Sequence, residues 1–344
     1  MTGESPSDDD ARSAANGDAQ SDADGDVPAV EASEVAPALS DRTVLVTGGA
    51  GFIGGHLVDA LVADNEVRVL DDFSSGRRAN LPEAAALIEG DVRDPDALDR
   101  AFRDVDLVFH EAAVVSVADS VKRPLESHEV NATATLRVLE AARRADARAV
   151  LASSAAVYGP PTSIPVREDQ PLEPTSPYGV QKVALDAYAR QYHDLYGLDT
   201  VALRYFNAYG PRQTGGDYSG VIGIFARRAL AGDPLVVHGD GDQTRDFVHV
   251  SDVVRANLLA ATTDAVGEAY NVGTGSSVTI RRLAELVREA AGADVPIEHD
   301  DPRPGDIEHS QADVSKAREH LGYEPQVSLS AGLRDLIEAK RANP

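Results

Sequence analysis

A tyrosine and a lysine four residues apart form the pair best suited to chemistry in this chain. Tyr178 and Lys182 are followed by a helical pattern that continues to Tyr192, so positions i and i+4 share one helix face. A free tyrosine titrates near about 10, and a neighbouring ammonium favours the phenolate. We therefore expect Lys182 to lower the pKa of Tyr178 and make it a usable base near neutral pH. The alternative is an ordinary surface pair on a helix.

The rarity of lysine favours the chemical interpretation. The chain otherwise uses arginine and has only four lysines, Lys122, Lys182, Lys316 and Lys340. An arginine cannot replace a compact ammonium that must also hold a ribose hydroxyl. Upstream, Ser154 lies in the segment Ser153–Gly159, directly after a predicted strand. Its hydroxyl is placed to hydrogen-bond the substrate oxygen whose proton Tyr178 removes; a helix cap or a strand-end turn is the alternative.

A glycine-rich run lies between a predicted strand and a predicted helix. The run Thr47–Gly54 follows the apolar residues 43–46 and leads into the apolar-periodic residues 55–61. A helix start offers unpaired N–H groups and a positive dipole end, and glycines let the backbone approach a pyrophosphate closely. Strand, glycine turn and helix together predict a dinucleotide site. A plain tight turn is the alternative.

Two aspartates follow the second predicted strand, residues 67–70. An acidic side chain here, Asp71 or Asp72, accepts hydrogen bonds from both adenosine ribose hydroxyls and repels a 2′-phosphate. The position therefore favours NAD over NADP, although Arg77 and Arg78 would partly reverse that preference. A helix cap or a solvated loop end is the alternative for Asp71.

The elements that must position these residues follow an alternating pattern. Short apolar runs alternate with helical segments from residue 41 onward, which predicts an α/β fold with a Rossmann-like, doubly wound parallel sheet. Further strands are predicted at residues 107–109, 149–152 and 201–203, with a covering helix at residues 131–144. After about residue 206, Gly and Pro breaks predict a smaller α+β C-terminal substrate lobe. Ligands in such sheets lie at the carboxyl ends of the strands.

The composition excludes several classes of protein. The 344 residues carry 57 acids against 32 lysines and arginines, a net charge of −25. Such a surface would repel nucleic acid, and its composition resembles the haloarchaeal type, from organisms with a salt-saturated cytoplasm. There are no cysteines, which excludes disulfides and thiolate sites. We see no signal peptide and no membrane-spanning run, and expect a cytoplasmic protein.

The first 40 residues differ from the rest of the chain. They hold ten acids and one base, Arg12, and no aromatic residue. Such a segment cannot bury enough apolar surface to fold, so we expect residues 1–40 to be a disordered acidic tail.

Several motifs occur in order along residues 42 to about 340, and together they carry a family resemblance. They are the glycine run, Asp91-Val92, His110-Glu111-Ala112-Ala113, the segment 153–159, the Tyr178/Lys182 pair, and the segments 204–212, 245–250 and 303–306. The chain thereby resembles the extended short-chain dehydrogenase/reductase family, and within it the nucleotide-sugar 4-epimerases of the UDP-glucose (galactose) type.

The resemblance implies a role for each matching position. Ser154, Tyr178 and Lys182 would be catalytic, with Tyr178 as the base. The residues implied in NAD binding are Gly48, Gly51, Phe52, Ile53, Gly54, Asp71, Asp91, Val92, Ala112, Ala113, Tyr178 and Lys182. The residues implied in binding the sugar nucleotide are Ser154, Asn207, Arg245, Arg303 and Ser310; surface ion pairs are the alternative for the arginines. His110, His249 and Asp246 are expected to be structural. No metal is expected, because no histidine–carboxylate cluster has metal-ligand spacing.

The resemblance also implies domains and partners. Residues 41–206 would be the NAD-binding Rossmann domain, with a return segment near 246–261, and residues 207–344 would bind the nucleotide sugar. A UDP-sugar substrate and a homodimer are expected, the latter through the helices that contain Leu136 and Tyr188.

The implied reaction is a transient oxidation. Tyr178 takes the proton of the sugar 4-hydroxyl while C4 gives hydride to NAD; the 4-keto sugar swings over, and hydride returns to its opposite face. Relatives that dehydrate or decarboxylate place an acid just after the serine, where this chain has Ala155 and Ala156, which disfavours both reactions. Ser310 matches a gate beside the sugar C2, so UDP-N-acetylglucosamine is as plausible as UDP-glucose. The alternatives are another epimerase or reductase of this fold, acting on UDP-glucuronate or a GDP- or dTDP-sugar, and a non-catalytic NAD-binding sensor.

Overall fold

A central parallel sheet forms the larger part of the computed structural model, which describes residues 27, 29–213, 220–303 and 307–342. Within these residues the sheet has seven strands in the order β11-β6-β5-β4-β1-β2-β3. Their bounds are β1 Thr43–Thr47, β2 Glu66–Asp71, β3 Ala86–Glu89, β4 Leu107–His110, β5 Arg148–Ser154, β6 Thr200–Tyr205 and β11 Glu268–Val272. The predicted α/β fold with a doubly wound parallel sheet is confirmed.

Both faces of the sheet are covered by helices. Successive strand residues point to opposite faces: Val44 and Val46 pack in one core, whereas Leu45 packs in the other. The first face is covered by α1 Ala32–Val35, α2 Phe52–Leu61, α9 Val250–Ala260 and α11 Ser315–Leu321. The second face is covered by α3 Pro95–Ala101, α6 Ala134–Ala145 and α7 Pro177–Tyr196. Two short helices, α4 Val117–Lys122 and α5 Pro124–His128, pack against α7, and a π-helical turn, Glu129–Thr133, leads into α6.

The smaller lobe has its own core. A parallel pair, β8 Leu235–His238 and β13 Ile297–Asp300, packs with α8 Val221–Ala231, α10 Ile280–Ala291 and α12 Leu329–Ala342. Two small pairs join this lobe to the sheet: β7 Asn207–Tyr209 with β10 Phe247–His249 in parallel, and β9 Thr244–Arg245 with β12 Val278–Thr279 antiparallel. The chain returns to the sheet at α9, which packs on α2, and β11 then adds a seventh strand beside β6.

The expected disorder up to residue 40 is wrong for its last part. Residues 1–26 and 28 lie outside the described residues, but α1 packs against α9. Ala32, Ala36 and Leu39 are buried in the same core as α2. The reason is local: Ala32 in α1, Ala36 at its C-cap and Leu39 beyond the following turn are apolar and bury their side chains in this core.

The order of the strands reverses between β1 and β4. From β1 the chain continues towards one edge of the sheet, and from β4 it continues towards the other edge. This leaves a crevice between the carboxyl ends of the two adjacent parallel strands, and such folds bind ligands there. The glycine run follows β1, Asp71 ends β2, Glu111 follows β4 and Ser154 ends β5. The topology therefore brings the predicted cofactor and catalytic residues to one edge of the sheet.

Candidate active site

Helix α7 presents the predicted base in its first turn. The Ser176 side chain caps the helix by accepting from the Gly179 N–H, and Pro177 occupies the first turn. The Tyr178 N–H donates to the Ser120 hydroxyl at 3.1 Å. Tyr178 and Lys182 are both buried, so the pair is not an ordinary surface pair.

The Lys182 ammonium lies beside the Tyr178 ring. Its Nζ is 5.7 Å from the ring centroid and donates to the Ala152 carbonyl at 2.5 Å. Burial lowers the pKa of Lys182 to about 8, while the charges of Glu111 and Asp186 act to raise it. The ammonium is thus anchored to β5 rather than to the phenol oxygen.

The pKa of Tyr178 lies above its ordinary value, and the expected lowering by Lys182 is wrong for this structure. Burial raises the pKa, a hydrogen bond from Ser154 lowers it, and the charge of Glu111 raises it further. Helical spacing places two side chains on one face, but it does not orient the ammonium towards the phenol oxygen. A buried hydroxyl without a nearby compensating charge keeps its proton.

Ser154 joins the base to the end of β5. It caps the turn Ala155–Val157, its Oγ accepts from the Ala156 N–H at 3.1 Å, and its side chain is hydrogen-bonded to Tyr178. The suggested cap is therefore present, and the same hydroxyl also meets the phenol. Ala155 and Ala156 occupy the turn that follows, so these two positions provide no acid or base beside it.

The glycine run is packed too tightly for side chains at two positions. Gly48 has a φ of +69°, and a Cβ there would lie 2.7 Å from the Ala112 nitrogen. A Cβ on Gly54 would lie 2.3 Å from the Gly48 oxygen. After Gly51, α2 begins at Phe52 with no side-chain cap. The N–H groups of its first turn therefore have no side-chain acceptor, which suits an anionic ligand.

Asp71 binds the backbone of this loop. Its Oδ2 accepts from the Ala50 N–H at 2.9 Å and its Oδ1 accepts from the Phe73 N–H at 2.8 Å. Burial raises the pKa of Asp71, and the two backbone donors hold it down. A carboxylate retains further acceptor sites for ribose hydroxyls. Arg78, which would favour a 2′-phosphate, pairs with Glu89 at 2.7 Å.

The other predicted cofactor residues surround the same edge. Asp91 follows β3, and its carboxylate pairs with Arg93 at 2.5 Å, which lowers its pKa. Val92 is buried in the core of the second face. Ala112 abuts Gly48, and Ala113 follows it along the same loop.

Three predicted substrate residues line one cavity in the smaller lobe. Asn207, Arg245 and Arg303 border a space of about 430 Å³, together with apolar side chains that include Phe225 and Ile280. The Asn207 side chain is fixed by donation to the Asp246 carbonyl at 2.8 Å. Arg228 and Asp300 also line the cavity, so three guanidinium groups against one carboxylate give it a positive lining suited to phosphate oxygens.

Ser310 lies beside this cavity rather than in its lining. Its N–H donates to the Thr244 carbonyl at 3.1 Å, next to Arg245. His238 also borders the cavity, and its Nε2 lies 3.1 Å from Arg303 Nη2. Sequence reasoning missed His238, because no spacing along the chain connects it to Arg303.

The residues expected to be structural are held in polar networks. Asp246 is buried and accepts from the N–H groups of Thr274, Gly275 and Ala312. The His249 ring stacks edge-on against Tyr209, with a centroid separation of 5.3 Å. Within the described residues no group of three or more histidines and carboxylates is placed to hold a metal, and no helix is both long and apolar enough to cross a bilayer.

His110 is a neutral link in a buried chain of hydroxyl groups. The Thr135 hydroxyl donates to the Asn131 carbonyl, so it accepts from His110 Nε2 at 2.9 Å. His110 Nδ1 is left to accept from the Thr47 hydroxyl at 2.7 Å. Burial and the charge of Lys182 lower the pKa of His110 to about 3.

Sequence reasoning also missed a buried acid. Glu111 lies inside the motif 110–113, yet the family resemblance gave it no role. Its Oε1 accepts from the Tyr205 hydroxyl at 2.9 Å, and Tyr205 contacts Asn257 on α9. The available signal was an acidic residue directly after a buried strand that faces the ligand edge of the sheet.

Comparisons with known proteins agree with this arrangement. Residues 44–273 match the model of the NAD dependent epimerase/dehydratase family. A UDP-glucose 4-epimerase of Mycolicibacterium smegmatis is 42% identical over 304 residues, which cover 86% of this chain and 97% of that protein.

Two solved structures are similar over nearly the same length. One is a UDP-N-acetylglucosamine 4-epimerase from Methanobrevibacter ruminantium in complex with UDP-N-acetylmuramic acid; it has a TM-score of 0.86 and 39% identity, with coverage of 89% of this chain and 100% of that chain. The other is a UDP-glucose 4-epimerase from Thermus thermophilus in complex with NAD; it has a TM-score of 0.82 and 40% identity, with coverage of 88% and 100%.

Proposed function

The chain belongs to the NAD-dependent epimerase/dehydratase family, and from that premise we propose that it is an NAD-dependent nucleotide-sugar 4-epimerase. Its substrates would be UDP-glucose and UDP-galactose, and, because Ser310 is small, also UDP-N-acetylglucosamine and UDP-N-acetylgalactosamine. The observation that carries the proposal is the group formed by the partly buried Ser154 and the buried Tyr178 and Lys182 at the ligand edge of the sheet, with two alanines after Ser154 in place of an acid.

The residues at this edge fit NAD. Gly48, Gly51 and Gly54 would admit the pyrophosphate, with N–H groups from Phe52 and Ile53, because the first turn of α2 has no side-chain cap. The free acceptor sites of Asp71 would take the ribose hydroxyls. The adenine would lie against Asp91 and Val92, and Ala112 and Ala113 would line the cleft.

The preference for NAD over NADP rests on charge. Asp71 places a carboxylate where a 2′-phosphate would come. Arg78, one of the two arginines that would offset it, already pairs with Glu89 and lies over the Phe73 ring at 4.8 Å. A reversal of preference by Arg78 is therefore disfavoured.

The catalytic residues of this chain would divide the work as follows. Tyr178 would take the proton of the sugar 4-hydroxyl, and Ser154 would hydrogen-bond the same oxygen. Lys182 would hold the nicotinamide ribose and keep positive charge close to the developing phenolate. NAD, when bound, supplies the acceptor for the C4 hydride and returns it to the opposite face of the 4-keto sugar. Tyr178 then gives the proton back, so no net oxidant is consumed.

The cavity of the smaller lobe would hold the diphosphate during this exchange. Arg245 and Arg303 present planar forks that match phosphate oxygens, and Asn207 links the cavity wall to the end of β6. An intermediate held through its diphosphate can turn its sugar ring without leaving the enzyme. This division of labour supports the proposed domains: a cofactor domain, residues 41–206 with a return segment near 246–261, and a nucleotide-sugar domain within residues 207–344.

The proposal also includes a homodimer and a cytoplasmic location at high salt concentration. We place a homodimer contact on the face formed by α4, α5 and α7, where Val121, Leu125 and Val180 are exposed. Of the two residues expected at the contact, Tyr188 is exposed on α7, whereas Leu136 is partly buried against the core. The net charge of −25 supports a cytoplasm rich in salt.

Product NMR tests the function directly. The protein is incubated in concentrated KCl with UDP-glucose or UDP-N-acetylglucosamine, without added NAD, and C4 inversion is followed. Inversion supports the proposal. The same incubation is repeated with UDP-glucuronate and with GDP- and dTDP-sugars. If none of these is turned over and NAD is still bound, a non-catalytic NAD-binding sensor is supported instead. If only another sugar nucleotide is turned over, a related enzyme of the same fold is supported.

A further inference from the structure

Glu111 is an acid at the catalytic edge that the proposed reaction does not use. It directly follows β4, and its N–H extends the β4–β1 ladder by donation to the Thr47 carbonyl at 3.1 Å. The residue is partly buried. Its backbone lies against Gly48, since a Cβ on that glycine would be 3.0 Å from the Glu111 carbonyl carbon. The β4–β5 register pairs His110 with Leu151, so Glu111 comes next to Ala152, whose carbonyl binds the Lys182 ammonium. The backbone of Glu111 is therefore fixed beside the Tyr178/Lys182 pair.

A directed chain of hydrogen bonds holds the Glu111 side chain. Asn257 Nδ2 donates to the Val253 carbonyl at 2.9 Å and to the Tyr205 hydroxyl oxygen at 2.8 Å. With its oxygen accepting from Asn257, Tyr205 donates its own proton to Glu111 Oε1 at 2.9 Å. Three elements, α9, β6 and the end of β4, thus converge on one carboxyl group, and this is more support than a solvated surface acid receives.

The carboxyl group acts on both members of the catalytic pair. Burial raises the pKa of Glu111 to about 7, while the Tyr205 hydroxyl and the charge of Lys182 hold it down. In return, ionised Glu111 raises the pKa of Lys182 and of Tyr178. The charge on Glu111 therefore favours the ammonium form of Lys182 and the protonated form of Tyr178.

Two neighbouring titratable groups, His110 and Tyr205, are neutral near neutral pH. The pKa of His110 is lowered to about 3 by burial, so its ring is neutral. Burial and the charge of Glu111 raise the pKa of Tyr205 well above its ordinary value. Asp186, which also acts on Lys182, is buried in an ion pair with Arg204 at 2.6 Å. The pKa values of Glu111 and Lys182, about 7 and about 8, lie close to neutrality.

We propose that Glu111 is a positioning residue for the base: its carboxylate, held by the Tyr205 hydroxyl beside the pair, keeps Lys182 charged and acts directly on Tyr178, and so sets the pH range in which Tyr178 gives up its proton. The proposal rests on the proposed role of Tyr178 as the base. Removal of this charge leaves Lys182 easier to deprotonate and Tyr178 easier to ionise, because an acid with no anion nearby loses its proton more readily.

Glu111→Gln tests this in the full-length protein, because glutamine keeps an oxygen that accepts from Tyr205. The limb of the kcat/KM pH profile that reports ionisation of the base is expected to move to lower pH by about half a unit to one unit. Tyr205→Phe removes the donor, which favours the protonated carboxyl, so it is expected to move the limb in the same direction. In the Glu111→Gln background, Tyr205→Phe is expected to add no further shift.

Glu168→Gln is the matched control. Glu168 is also partly buried and also has a raised pKa, caused by burial, but it accepts from the Asn271 N–H and does not act on Tyr178 or Lys182. This variant is expected to leave the pH profile in place. A fall in turnover at every pH in Glu111→Gln, with the profile unmoved, would show a merely structural role and overturn the proposal.

A second readout does not depend on turnover. Carbon-13 labelling of the tyrosine Cζ atoms gives a signal for Tyr178, assigned by its loss in Tyr178→Phe, whose titration is followed with and without Glu111→Gln. A shift to lower pH supports the proposal even if no sugar nucleotide is turned over, in which case only the proposed function fails. An unchanged titration of Tyr178 would overturn it.

Discussion

The Lys182 ammonium lies 5.7 Å from the centroid of the Tyr178 ring and is bound to the Ala152 carbonyl at 2.5 Å. This relationship assigns the two residues different tasks. Lys182 is held by β5 and keeps its position whether or not the phenol is ionised. Tyr178 meets Ser154 through its hydroxyl. Loss of the Tyr178 hydroxyl alone should therefore remove the base and leave the lysine in place.

Tyr178→Phe is expected to lower turnover by about 10²–10⁴-fold, the contribution typical of a positioned base. The aromatic packing remains, so NAD should stay bound, as measured by its release on heating. Tyr188→Phe, an exposed tyrosine on the same helix, is the control and should leave turnover unchanged. Undiminished turnover in Tyr178→Phe would remove the residue from the mechanism.

The Tyr178/Lys182 pair and the glycine run could be predicted because each depends on local spacing. Four residues of helix bring Tyr178 and Lys182 to one face, and a strand, a tight turn and a helix bring Gly48 to the ligand edge. The direction of the Tyr178 pKa could not be predicted, because it is set first by burial in the folded protein. The Lys182 ammonium is bound instead to the Ala152 carbonyl, 30 positions away along the chain.

Long-range contacts account for what else the sequence did not reveal. Glu111 meets Tyr205 across 94 positions, and Tyr205 meets Asn257 across a further 52. Only the parallel order of β4, β5 and β6 brings these residues together. The burial of Leu39 likewise depends on α9, which lies more than 200 residues further along the chain.

His110 predicts a specific dependence of stability on pH. Its pKa is lowered to about 3 in the folded protein, mainly by burial, from an ordinary value of 6.5. The unfolded chain therefore binds a proton between these values and the folded protein does not. The contribution of the neutral ring to stability is complete above pH 6.5 and is lost as pH falls towards 3.

His110→Asn removes this pH dependence along with the hydroxyl network. Between pH 7 and pH 5 the parent protein should lose about 2 kcal/mol that the variant does not lose. Urea titrations in concentrated KCl give the free energy of unfolding of both proteins. The difference between the parent and the variant should be smaller at pH 5 than at pH 7 by that amount. His299→Gln, at an exposed position, should show no such narrowing. An equal difference at both pH values would contradict the assignment of a neutral ring.

The acidic surface predicts a requirement for salt. A net charge of −25 repels itself strongly when the screening length is about 10 Å at 0.1 M salt, and weakly when it falls to about 3 Å at 1 M. Both the circular dichroism of the helices and the turnover should decline on dialysis into dilute buffer and recover in concentrated KCl. Full activity and an unchanged spectrum in dilute buffer would count against this expectation.

Leu125 tests the proposed dimer. Its side chain is 83% exposed on α5, and α4 and α7, which pack with α5, expose Val121 and Val180; exposed apolar side chains on one face are typical of an interface. Leu125→Asp would bury a charge in that contact, so light scattering after size-exclusion chromatography should show a monomer. Leu230→Asp, on α8 in the smaller lobe, should leave the dimer intact. A parent protein that is already monomeric would refute the proposal.

Ser310 tests which sugars are accepted. Its N–H donates to the Thr244 carbonyl, so its backbone lies close to Arg245, which borders the cavity of the smaller lobe. Ser310→Tyr should fill the space proposed for an N-acetyl group, while a hydroxyl at the sugar C2 still fits. We expect kcat/KM for UDP-N-acetylglucosamine to fall by about 10–200-fold, the range for a poorly fitting group in a pocket, and kcat/KM for UDP-glucose to change far less.

The ratio of kcat/KM for the two substrates shows whether Ser310 controls entry at C2, because a general disturbance of the lobe would lower kcat/KM for both substrates together. Ser276→Tyr adds the same bulk at an exposed position nearby and should leave the ratio unchanged. If Ser310→Tyr lowers both values equally, or neither, the residue does not control entry at C2. The acceptance of N-acetylated sugars would then have to depend on other residues of the cavity wall.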